Sequence, residues 1–168
     1  NPKKEYLSVW DWPDVVASWN FPGYEGKPLK VAVYSQCDEV ELFINERLLG
    51  IKTNSAENKN MIYWEVPYEA GKLKAVGYIS GKKATESELV TAGEQREILL
   101  TPDRNVLQAN GQDLSFIIVE LIDAEGRLNP VADKLVTFEI SGPGKLAAVA
   151  SANPTSTESF QLPRRTTW

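Results

Sequence analysis

With 168 residues, 42 % of them apolar, the chain has enough hydrophobic material for one large core or two small ones and is not a disordered sequence. Its formal charge of −5, from 23 acidic and 18 basic side chains with no basic run, argues against nucleic acid and anionic membrane surfaces as partners. There is no histidine, which removes Ser-His-Asp and Cys-His catalysis and the usual zinc and di-iron ligand sets, so no metal and no cofactor is expected.

The opening, "NPKKEYLSVW", lacks the apolar run and small-residue cleavage site of a signal peptide, and it lacks an initiator Met. The chain therefore reads as an excised or processed piece. No stretch approaches the ~20 apolar residues of a membrane span. Next comes "VWDWPDVVASWNFPGY", in which Trp10, Trp12, Trp19, Phe21 and Tyr24 crowd together. Aromatic faces stack on the apolar C–H face of a pyranose. Equally, such a segment can be a linker strapped over a sandwich or against another domain, and packing is the favoured reading. Trp10, Trp12, Trp19 and Tyr24 are the candidate carbohydrate or interdomain contacts.

From there the pattern is strand and turn. "LKVAVYS" sets Leu29, Val31 and Val33 on one face. "CDEVELFINERLLGIK" places three acids beside the lone cysteine, which looks like chemistry. Alternation answers otherwise: Val40, Leu42 and Ile44 share one face, and Glu39 and Glu41 point to solvent from the other. Cys37 is read as a buried small hydrophobe with nothing nearby to activate it. Gly50 is expected to allow a bulge or close packing in the return strand. "MIYWEVP" and "KLKAVGYI" follow, with Trp64 expected to fill the core and Leu73, Ala75 and Gly77 on one side.

"TAGEQRE", residues 91–97, is polar, contains a glycine and precedes a fresh strand pattern, so it is the expected domain boundary. Strands are expected near 96–101, 114–123, 134–141 and 145–150, with "ESFQL" as a fifth. The 115–122 stretch is apolar on both faces and reads as a central strand covered on both sides. "DAEGR" at 123–127 lacks the ligand set of an EF-hand and reads as a turn. "PRRTTW" shows no alternation and is expected to be irregular. Asn153-Pro154-Thr155 is excluded as a glycosylation site by its proline.

"VYSQCDEVELFINERLLGIK", "WEVPYEAGKLKAVGY" and "TAG", in that order, resemble the β-sandwich domain that follows the catalytic barrel in many bacterial family 2 glycoside hydrolases, chiefly β-galactosidases. "ILLTPDRNVLQANGQDLSFIIVELIDAEGRLNPVADKLVTFEISGPGKLAAV" resembles a further immunoglobulin-like domain of the same enzymes, related in style to invasin-type repeats. There are two departures. Relatives usually carry Asn-Gly where this chain has Asn45-Glu46; glutamate takes positive φ at a cost, so a turn wider than two residues is expected. Relatives often show His-Trp-Asn where this chain has Ser18-Trp19-Asn20. The resemblance places both catalytic glutamates on the barrel, upstream of this chain, and no glutamate here matches their motifs. No catalytic residue is carried over.

The sequence thus predicts an all-β chain of two tandem immunoglobulin-like antiparallel β-sandwiches, the second incomplete. Residues 1–20 form an aromatic N-terminal linker, 21–93 the first sandwich and 94–168 the second. The resemblance implies a non-catalytic accessory region with a structural role beside the barrel of a periplasmic or secreted glycosidase. The alternatives are a carbohydrate-binding module using exposed aromatics, or an adhesin-type surface fragment. The expected partners are the parent barrel, carbohydrate, and a second copy meeting an open strand edge of the second domain.

Overall fold

A computed structural model describes residues 15–168. Trp10 and Trp12 lie outside the described residues. The chain clusters into two units, one ending at Thr91 and the other starting at Ala92. Both are built of antiparallel strands, as the alternation predicts, and the only helical segment among the described residues is a single 3-10 turn at Ala56–Asn58.

The first unit contains β1 (Pro28–Tyr34), β2 (Glu39–Ile44), β3 (Arg47–Thr53), β4 (Met61–Pro67), β5 (Lys72–Ile79) and β6 (Lys82–Val90). β1 pairs with β4, and the other four form a sheet in the order β3-β2-β5-β6. Alternation decides which side chains face inward. Leu29, Ile62, Trp64 and Val66 from the first sheet meet Val40, Leu42, Ile44 and Leu73 from the second in one buried cluster. Each such aliphatic side chain contributes about 1.5–3 kcal/mol by leaving water. Glu39 stays exposed and Glu41 accepts a hydrogen bond from Tyr78 Oη at 2.9 Å, so the acids beside Cys37 are a solvated strand face. Cys37 is buried against Gly77, where an added Cβ would lie 2.5 Å from its Sγ.

Two hairpins carry features absent from the sequence reading. The β2–β3 connection is a two-residue turn, not a wider one: Ile44 pairs with Arg47, and Asn45 and Glu46 both have positive φ (47° and 64°). The strain at Glu46 is offset by what the turn touches. Lys74 pairs with Glu46 at 3.5 Å, and the Asn45 amide is bonded on both its ends, as described below. The register slips between Leu42 and Phe43 opposite Leu48 and Gly50, which is the bulge expected at Gly50. β6 was not anticipated. It is nine residues of mostly polar sequence after a Ser80-Gly81 turn, and it forms the charged edge of the sheet.

The second unit contains β7 (Glu97–Pro102), β8 (Ile117–Ile122), β9 (Leu135–Thr137) and β10 (Arg164–Thr166). β7 pairs with β8, and β9 with β10. β8 is not covered on both sides as expected: its only described strand partner is β7, and Ile117 and Ile118 are exposed. Residues 145–150 and "ESFQL" are not strands, whereas "PRRTTW" supplies β10. The reason lies in Arg165, a charge that alternation places outside but that is buried opposite Val136. Its Nε donates to Ser151 Oγ (3.3 Å), its Nη1 to Glu158 O (2.6 Å), and its guanidinium lies 4.8 Å from the Phe160 ring centre. "DAEGR" is the expected turn, closed by Asp123.

Candidate functional site

Trp19 and Phe21 pack onto the first unit beside Thr91, its last residue. Trp19 is 2 % exposed. Its ring packs edge-to-face on Tyr68 (5.2 Å between centroids) and Phe21 (6.1 Å), and Phe21 packs on Tyr68 (5.9 Å). Its Nε1 donates to Glu69 O at 2.9 Å. Thr91, the last residue of the unit, donates its hydroxyl to Trp19 O (2.6 Å) and accepts from Gly71 N (3.1 Å).

The hairpin turn locks into the same end. Asn45 Nδ2 donates to Glu69 Oε1 (2.7 Å) and Ala70 O (3.0 Å), and Asn45 Oδ1 accepts from Lys72 N (2.8 Å). Arg47 completes the set with a 2.9 Å ion pair to Glu69. The Asn45 amide, with Arg47 behind it, holds the Glu69 carboxyl below its ordinary pKa.

Of the candidate contacts, Trp19 and Tyr24 are among the described residues. Trp19 spends its ring on the sandwich core, in line with the packing reading. Tyr24 is half-buried against the same core, and Lys27 Nζ stands 4.7 Å from its ring centre.

The carboxylates have partners as well. Glu86 is lowered by Lys83, and Asp103 by the Ser115 hydroxyl and Phe116 amide. Asp123 is lowered by the Gly93 amide and then those of Arg127 and Glu125. Glu158 is lowered by its hydrogen bonds from Thr166 and Ser156 and by Arg165. Every described carboxyl whose pKa moves is lowered, the opposite of what a glycosidic general acid requires. Glu158 also lines a cavity of about 440 Å³ with Val131, Asp133, Asn153 and Trp168, but its oxygens are already bonded to Thr166 and Ser156. No cluster of histidine, cysteine or acidic side chains able to hold a metal occurs among the described residues.

Residues 98–168 match the glycoside hydrolase family 2 C-terminal domain 5, and residues 26–85 match a domain of unknown function, DUF4982. A β-galactosidase of Bacteroides ovatus is 40 % identical over 95 % of this chain and 19 % of its own length. A crystal structure of a glycosyl hydrolase family 2 member from Bacteroides cellulosilyticus is 49 % identical, with a TM-score of 0.90, over 100 % of this chain and 22 % of its own. The chain belongs to the C-terminal region of family 2 glycoside hydrolases. A β-glucuronidase of Formosa agariphila, 33 % identical over 88 % of the chain and 15 % of its own length, carries a different activity in its name. The chain therefore spans about a fifth of the family 2 relatives it matches. Residues 91–97 lie between the two matched stretches.

Proposed function

We propose that this chain is a non-catalytic accessory region of a family 2 glycosidase of β-galactosidase type, with a structural role beside the catalytic barrel. The observation that carries the reading is the state of the acids. The shifted carboxylates serve turns, strand ends and ion pairs, and all shift toward easier ionisation. A retaining glycosidase instead sets two carboxyls ~5 Å apart across the sugar and keeps one protonated. The likeness to a fraction of longer glycosidases supports the same reading. The test is assay of the purified chain on nitrophenyl galactoside, glucuronide and related glycosides. No turnover above the blank is expected; turnover abolished by a single substitution in this chain would overturn the proposal.

A further inference from the structure

We propose that the free edge of β7 pairs antiparallel, across a two-fold axis, with β7 of a second copy of this chain. β7 is bonded to β8 along one edge and to no other strand among the described residues. The start of β7 also lines a groove of about 430 Å³ together with Leu121 of β8 and Leu135 and Val136 of β9. The strand reads "EILLTP", with one charge at its start and none after it. The first unit treats its edges differently: β6 carries Lys82, Lys83, Glu86 and Glu88, and β3 carries Arg47 and Lys52. Charges of that kind keep strand edges from pairing, and β7 lacks them.

Backbone direction makes this edge complementary to itself. Asp103 N donates to Phe116 O in register with the β7–β8 pairing, so the odd-numbered residues of β7 turn their amides and carbonyls toward β8. Asn129 N donates to Leu121 O on the far side of β8, as the same phase requires. Ile98 and Leu100 therefore aim their backbone groups at the open edge. A two-fold axis through Leu99 sets Ile98 of each copy opposite Leu100 of the other, and four N–H···O bonds form. The next outward position on one side is Pro102, which has no amide to offer. It falls opposite Arg96, whose amide is already bonded to Ile122 O. The ladder thus ends at both sides without stranding a donor.

The side chains fit the same geometry. The register places Ile98 against Leu121, Leu100 against Val119 and Pro102 against Ile117, an apolar face throughout. Ile98, Leu100 and Ile117 are 54 %, 57 % and 54 % exposed, and Leu99 and Ile118 on the other face are 42 % and 61 % exposed. Pairing along β7 extends both faces across the seam, so Ile98, Leu99 and Leu100 gain cross-strand neighbours on their exposed sides. The pairing joins two two-stranded sheets into one of four strands with a continuous apolar face.

The test is sedimentation velocity of the 168-residue chain over a wide concentration range, with hydrogen exchange read residue by residue. A monomer–dimer equilibrium is expected, with protection of the Ile98 and Leu100 amides rising with concentration while β6 amides stay unchanged. Leu100→Pro removes two of the four edge donors without touching the bonds to β8, and should weaken association about tenfold or more. Ile79→Lys, which removes an exposed apolar side chain from the first unit, should leave association unchanged. A strict monomer, association indifferent to Leu100→Pro, or Ile98 and Leu100 amides protected equally at every concentration would each overturn the proposal. The exchange measurement on the unmodified chain decides the matter even if Leu100→Pro fails to fold.

Discussion

Gly71 shows how much a single position settles. Its φ is +133°, and a Cβ added there would lie 1.9 Å from Asn45 Oδ1. The glycine therefore allows the Asn45 amide to reach into the 69–71 loop, and that amide holds the two-residue hairpin turn in which Glu46 takes positive φ. The expectation of a wider turn followed from Glu46 alone. The compensation comes from residues twenty-odd positions away, which a local reading of turn chemistry does not include. Gly71→Ala should destabilise the first unit by about 1–3 kcal/mol through backbone strain and the displaced amide. Urea denaturation followed by tryptophan fluorescence checks it. A loss within error of zero would mean that the Asn45 latch contributes nothing. Cys37 and Trp64 were legible in the sequence for the opposite reason: burial of a small thiol or a lone large aromatic follows from the alternation around them.

Elements were legible where one face is apolar and the other polar. β1, β2, β4 and β5 have that pattern, and all occur. β6 escaped because an exposed edge strand needs no apolar stripe, and β10 escaped because its inward residue is Arg165, held by partners distant in sequence. β8 was placed correctly but its surroundings were not, since apolar residues on both faces state a need for cover without supplying it. The loop after β8 carries a pH prediction. Asp123 is buried and accepts amide hydrogens from Gly93, Glu125 and Arg127, which depress its pKa. A depressed carboxyl stabilises the fold above its unfolded pKa, near 3.9, and that contribution is lost as pH falls through the lower folded value. Asp103 and Glu158, lowered in the same unit, act in the same direction. The second unit should therefore hold constant stability from neutrality down to the ordinary carboxylate range and lose it below. Asp123→Asn should lower stability at neutral pH and flatten that acid slope. A variant with unchanged slope, measured by denaturation at stepped pH, would remove Asp123 from the account.

At the scale of the whole chain the two units are unequally built. The first has a buried cluster running from Trp19 to Leu73, drawn from both of its sheets. In the second, the buried apolar side chains are Leu121, Val136 and Val149, supported by the polar anchors Asp123 and Arg165. Stability scales with apolar area removed from water, so the second unit should open first. Denaturation should then depart from a single two-state transition. In urea, the amides of β7 to β10 should exchange in a first step while those of β2 and β5 remain protected until a second. Pairing of β7 across two copies adds a term of its own. A partner that binds only the folded unit stabilises it by mass action, so raising the chain concentration should move the first transition upward and leave the second where it is. A single transition reported alike by fluorescence and by exchange in both units would show that they fold as one. Two transitions that both shift with concentration would place the self-contact outside the second unit.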